Sequence, residues 1–212
     1  MSIKIKRIKN TDDLAQALVL LHRYFQPYEL VASNEFVYYA ENYRRLYPDE
    51  DYMVFKITCD NEYIGMMSGV KLKEFVAIDY LIIDSEFRKY TRDVINEIYE
   101  VLMKFRRPVI VEAETDVLVR FYKMLGFKRF DDEYRYHILH VEIGGNGGWT
   151  SSIMSHDSHL MYYSDKPLDF IETRNTLYRK NYLRWNSVYP DELTKEYKKL
   201  IEGIINNKKQ KQ

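Results

Sequence analysis

Apolar and cationic positions alternate at the start of the chain, where Ile3 and Ile5 interleave with Lys4 and Lys6, and this period of two predicts a strand over residues 3–8. The period then lengthens. Leu14, Ala17, Leu18 and Leu21 fall on one helical face, with Asn10, Thr11 or Asp12 placed to cap it. Phe36, Tyr39, Tyr43 and Leu46 repeat the helical spacing over 34–46, and Pro48 with Asp49-Glu50-Asp51 ends that helix. Tyr52–Cys59 and Tyr63–Leu72, joined by Asp60-Asn61, read as a hairpin. Phe75–Ile83 is an apolar run broken by Asp79, as expected of a strand covered on both faces.

Val94, Ile98, Leu102 and Phe105 predict a helix over 93–105, which Arg106-Arg107-Pro108 breaks. Val109–Ala113 reads as another buried strand, and 115–125 as a helix with Thr115 as its cap. Phe127–Phe130 and Tyr134–Ile143 close the pattern as two strands around Asp131-Asp132-Glu133. The order is β-α-α-β-β-β-α-β-α-β-β, which predicts an α/β fold with a mixed sheet. Four of the eight glycines then fall within Gly144-Gly145-Asn146-Gly147-Gly148. That cluster divides the chain into a domain over 1–143, a Gly-rich hinge over 144–149 and a C-terminal helical extension over 150–212. Within the extension 168–185 and 191–206 read as helices, and the Lys208–Gln212 tail as frayed.

Composition removes several classes of function. With 46% hydrophobic and 30% charged residues the chain reads as soluble and globular, and no apolar run approaches the ~20 residues of a membrane span. Thirty-two basic side chains balance 32 acidic ones, leaving no global electrostatic footprint for nucleic acid. The N-terminus lacks the pattern of a secretory signal, and the single Cys59 excludes an internal disulfide and a cysteine-rich zinc site. A reducing, cytoplasmic setting follows as the default. His137 and His140 stand three apart on a predicted strand and face opposite sides; His156 and His159 read as surface histidines of a Ser-rich loop, so no metal site is expected.

The segment Phe121-Tyr122-Lys123-Met124-Leu125-Gly126-Phe127 resembles the signature that closes the helix before the sixth strand in the GNAT superfamily of N-acetyltransferases. The resemblance covers about residues 1–142. It implies a GNAT-like mixed sheet of about seven strands flanked by helices, and a transferase that uses acetyl-CoA. In that family a pyrophosphate cradle follows the fourth strand, at a helix N-terminus. The corresponding stretch, Ile83-Asp84-Ser85-Glu86-Phe87-Arg88-Lys89-Tyr90-Thr91-Arg92-Asp93, keeps the Glu–aromatic–Arg part and has Thr91 and Asp93 where the family has glycines. By the resemblance, Arg88, Lys89, Thr91 and Arg92 hold the phosphates. Leu81 and Ile83 hold the pantetheine arm through their backbone, Thr115 contacts the cofactor, and Tyr122 is the general acid. Asp79 is then the base, with Glu74 as a second candidate.

Each of these residues also has a plain structural reading. Tyr122 shares an apolar helical stripe with Leu118 and Leu125; Asp79 can pair with a neighbouring cation; the Arg88–Asp93 stretch can be a solvated helix start. Two functions therefore stand side by side. One is direct acetyl transfer from acetyl-CoA to a small-molecule or protein amine acceptor. The other is a catalytically inactive GNAT-fold protein serving as an interaction or structural module in a phage, virion or other assembly. The missing loop glycines and the extension, which could mediate oligomerisation or docking, favour the second.

Overall fold

The computed structural model describes residues 2–26, 30, 33–143, 148–185 and 189–207. Most of the Gly-rich hinge expected over 144–149, and the Lys208–Gln212 tail, lie outside these residues.

The predicted order holds from β1 to β7. The elements are β1 (Ile3–Arg7), α1 (Thr11–Tyr24), α2 (Ser33–Leu46), β2 (Asp51–Cys59), β3 (Glu62–Lys71) and β4 (Val76–Ile83). A 3₁₀ turn over Ser85–Tyr90 leads into α3 (Thr91–Met103), followed by β5 (Val109–Ala113), α4 (Asp116–Met124), β6 (Lys128–Arg129) and β7 (Tyr134–Ile143). The predicted caps form: Asn10 Oδ1 accepts the Asp13 N–H at 2.8 Å and Thr115 Oγ1 accepts the Leu118 N–H at 3.3 Å. Gly126, at φ 85°, takes the left-handed position that stops α4 and turns the chain into β6.

After β7 the chain departs from the expectation of a purely helical extension. Trp149–Tyr163 is a fifteen-residue strand, β8, and only then come α5 (Phe170–Leu177), a π-helical turn over Tyr178–Tyr182, and α6 (Asp191–Asn206). β8 lies inside the sheet: it pairs antiparallel with β5 on one side and with β6 on the other, and its first ten residues form a hairpin with β7. The sheet thus has eight strands, and residues 150–163 belong to its body. His156 and His159 stand on this strand, where the sequence suggested a loop. The physical reason for the misreading is exposure. The N-terminal half of β8 has a partner on one side only and faces solvent, so Trp149-Thr150-Ser151-Ser152 carries no buried alternation.

Strands β1 to β4 run antiparallel in sequence order, and the α3 crossover sets β5 parallel to β4. Helices cover both faces. One core gathers α1, α2, α5, the π turn and α6 over Tyr52, Met66, Tyr80 and Ile110; the other gathers α3 and α4 over Met53, Ile57, Met67 and Val111.

Two features of β4 position the site. Its pairing with β3 slips between Ser68 and Gly69: Ser68 faces Tyr80 and Gly69 faces Ile78, leaving Asp79 as the extra residue of a β-bulge. Ala77, Tyr80 and Ile82 therefore face the α1/α2 side, whereas Ile78, Leu81 and Ile83 face the α3/α4 side, and Asp79 shares a cavity with Tyr80. Secondly, β4 pairs with β5 only through Val76–Ile78 and Val109–Val111. Asp79 and Glu112 are the next residue on each strand, at the point where the two strands part.

Candidate active site

The fork between β4 and β5 forms one wall of a cavity of about 140 Å³ on the α1/α2 side of the sheet. Asp79, Glu112 and Glu114 supply its carboxylates, and Tyr80, Tyr136 and Tyr182 are among its aromatic walls. Asp79 is placed there by the bulge. Glu112 and Glu114 follow Ile110 at alternate positions, which carries the same face of β5 past the end of the strand.

The π turn closes over these acids. Asn181 Nδ2 donates to Asp79 Oδ1 at 3.0 Å, and Trp185 Nε1 donates to Asn181 Oδ1 at 2.7 Å. An indole N–H can only donate, so the amide of Asn181 is fixed with its NH₂ toward Asp79. Asp79 Oδ2 is buried and makes no hydrogen bond of normal geometry among the described residues. Burial pushes the Asp79 carboxyl up to about 7; the Glu112 charge adds to the rise, while Asn181 and the nearby Tyr52 hydroxyl oppose it. Burial also raises Glu112, although the hydroxyls of Tyr134 and Tyr182 both donate to its Oε1 and oppose the rise. At the mouth, Tyr136 donates to Glu114 Oε1 at 2.9 Å. Among the described residues no lysine or arginine lines the cavity, and burial, aided by repulsion from Arg135, keeps His137 below the ordinary histidine value.

Two cations pin the turn to the domain. Lys180 Nζ lies 2.7 Å from Glu74 Oε1 and 3.2 Å from Glu50 Oε1. Arg184 pairs with Glu50, donates to the Tyr43 hydroxyl at 2.8 Å and lies over the Tyr47 ring at 3.8 Å. π-helical turns are rare and recur at functional sites. Here the turn brings Asn181 and Tyr182 over both acids.

Of the site residues that the resemblance implies, only Asp79 lines this cavity. Glu74 is exposed on the β3–β4 connection; burial acts to raise it, but the Lys180 ammonium outweighs that and holds it below the usual carboxylate value. Tyr122 packs in the α3/α4 core, its ring 5.3 Å from Phe121 and 5.4 Å from Phe127, and burial raises its phenol above the ordinary tyrosine value. Leu81 and Ile83 continue β4 beyond the fork on that same face. Thr115 caps α4, and Thr91 Oγ1 donates to the Arg88 carbonyl at 2.6 Å.

Arg88, Lys89 and Arg92 are exposed and form no ion pair among the described residues; Lys89 lies 4.9 Å over the Tyr90 ring. The 3₁₀ turn that carries the first two is capped by Asp84, whose Oδ1 accepts the Glu86 N–H at 3.1 Å. Burial works against the Asp84 charge, but that N–H, the Tyr24 hydroxyl and Arg23 hold it below the usual value. The turn runs straight into α3, and none of the described positive-φ residues lies between 84 and 103. The three cations and the α3 N-terminus, which has no side-chain cap, fit an anionic group by charge. The glycine loop that would wrap a pyrophosphate is replaced by helix.

Sequence reasoning missed Glu112, Asn181 and Tyr182. Glu112 carried a signal, a carboxylate within the apolar run Val109–Ala113. Asn181 and Tyr182 carried none, because a packed helix and a site lid share the same pattern.

The strand order, the β4 bulge and the parted β4–β5 pair make this a GNAT fold with an added C-terminal helix. Among solved structures it is similar to a putative acetyltransferase from the GNAT family of Bacteroides thetaiotaomicron, at 18% identity and a TM-score of 0.63, covering 82% of this chain and 96% of that one. It is also similar to the ribosomal-protein-S18-alanine N-acetyltransferase of Escherichia coli, at 15% identity and a TM-score of 0.51, covering 80% of this chain and all of that one. Coverage of 82% exceeds the two-thirds of the chain that residues 1–143 could supply, so the shared fold runs past the Gly-rich segment. No protein-family model and no curated protein sequence matches the chain.

Proposed function

We propose that the protein is an N-acyltransferase that moves an acetyl group from acetyl-CoA to an amine acceptor by direct transfer, with Asp79 as the base. The observation that carries this reading is the Asp79 carboxylate at the parted strands, with Oδ1 held by Asn181 and Oδ2 left for a proton. A base raised to about 7 exchanges a proton near neutral pH. The acceptor enters from the α1/α2 side and gives its ammonium proton to the Asp79 carboxylate, leaving a neutral nitrogen. Bound acetyl-CoA would supply the activated thioester, with the coenzyme A thiol as the leaving group. Arg88, Lys89 and Arg92 would hold its phosphates, with the backbone at Leu81 and Ile83 and the hydroxyls of Thr91 and Thr115 along its length. Tyr122, on the other face of the sheet, stays protonated because burial disfavours its phenolate, which suits a proton donor. Glu74 has no role here, since Lys180 neutralises it outside the cavity. The acceptor is a small molecule or a protein amine, and the setting is cytoplasmic.

A second reading rests on the 3₁₀ turn. Its continuity with α3 and its Asp84 cap supply an internal carboxylate where the family binds pyrophosphate, and this favours an inactive module in an assembly, such as a phage or virion component. Calorimetry separates the two. Micromolar acetyl-CoA binding, weakened about tenfold by Arg88→Ala, supports the transferase. Tyr122→Phe should then slow thiol release with little change in affinity. Absence of heat at millimolar acetyl-CoA sinks the transferase and leaves the module.

A further inference from the structure

We infer that the cavity at the β4–β5 fork binds a small aliphatic diamine or polyamine, with one ammonium at Asp79 and a second cationic group at Glu114. This deepens the transferase reading, in which the diamine is the acetyl acceptor, although the binding itself does not require it.

Three carboxylates at different depths line the cavity, and among the described residues no lysine or arginine joins them. Three buried acids elsewhere in the chain are instead paired with cations. Asp51 is paired with Arg7 and Arg44, Asp84 with Arg23, and Glu50 with Lys180 and Arg184. In the cavity the carboxylates are held by neutral donors: an amide on Asp79 and phenols on Glu112 and Glu114. Neutral donors orient a carboxylate without cancelling its charge, which leaves that charge for a ligand to balance.

The walls fit the same ligand. Tyr80, Tyr136, Tyr182 and Trp185 present ring faces and edges, and Leu139 and Ile138 add aliphatic surface. Aromatic faces attract ammonium groups and accommodate methylene chains, while carboxylates set the charge. A ligand carrying its own carboxylate would meet acids and, among the described lining residues, no lysine or arginine to pair with. Asp79 lies deep, with a buried oxygen, whereas Glu114 is exposed just past the end of β5. Two acids at two depths select a molecule with positive charge at both ends.

The test is calorimetry on the full chain at pH 8 with 1,4-diaminobutane, 1,4-butanediol and glutarate as probes. The diamine should bind at least about tenfold more tightly than the isosteric diol, and glutarate should give no heat. Glu114→Gln, at an exposed position that leaves the fold intact, should weaken the diamine about tenfold and leave the diol unchanged. Equal binding of diamine and diol, or no diamine heat at about 10 mM, overturns the proposal. Diamine binding without acetylation in the presence of acetyl-CoA keeps the cation site and removes the transferase reading. Acetylation of a peptide amine without diamine binding removes the cation site and keeps the transferase.

Discussion

Asn181 donates to Asp79 Oδ1 at 3.0 Å across 102 residues of sequence, joining the π turn of the C-terminal segment to the bulge of β4. A residue of the extension thereby sets which oxygen of the candidate base can take a proton. Trp185 fixes the amide, the amide fixes the carboxylate, and Lys180 and Arg184 fix the turn that carries both.

Asp79→Asn should stabilise the fold at pH 8 and be neutral to destabilising at pH 4.5. The Asp79 carboxyl is raised to about 7 when folded from 3.8, so the folded state binds the proton more tightly. Its ionisation costs nothing below pH 4; the cost grows between pH 4 and 7 and is complete above. The shift sets an upper bound of about 4 kcal/mol, from which burying an unpaired amide NH₂ takes roughly 1–3 kcal/mol. Urea unfolding of both proteins at the two pH values checks this. A difference that does not change with pH would show that Asp79 titrates as an ordinary surface acid.

Asn181→Ala should raise the Asp79 pKa further, because the lost donor favours the charged form. It should also cost about 1–3 kcal/mol, since the Trp185 indole loses its acceptor. Carboxyl-carbon NMR titration reads the first effect separately from the second. A fall in the Asp79 pKa would contradict the assigned amide orientation.

Glu50→Ala should destabilise by roughly 2–4 kcal/mol, because it leaves the half-buried Arg184 without its carboxylate, and Arg184→Ala by less, because Lys180 still pairs with the buried Glu50. The double variant should cost less than the sum of the two, with a coupling of about 1–3 kcal/mol in denaturant unfolding. Additive losses would mean that the pair does not anchor the π turn.

The fold of residues 1–143 was legible because its signals are local. Asn10 and Thr115 act as the caps that their positions suggested, and the Phe121–Phe127 segment closes α4 at a left-handed Gly126. Gly65 lets β3 and β4 pack closely: a methyl there would strike the Ile82 carbonyl oxygen. Strand β8 was not legible. Its first half is exposed and its second half is buried by β5 and β6, partners that its own sequence does not specify. Glu74 pairs with Lys180, 106 residues away, a contact that its place in the sequence does not specify.

The sequence by itself determined the succession of strands and helices, and it marked Asp79 as a carboxylate in an apolar strand, because periodicity and charge are properties of neighbouring residues. Only the tertiary structure decided what that carboxylate faces. The bulge turns Asp79 to the α1/α2 side, the parted strands bring Glu112 beside it, and the π turn lays Asn181 and Tyr182 over both. These contacts span 70 to 102 residues. They exist because burial removes water from the two acids and leaves distant neutral donors to replace it.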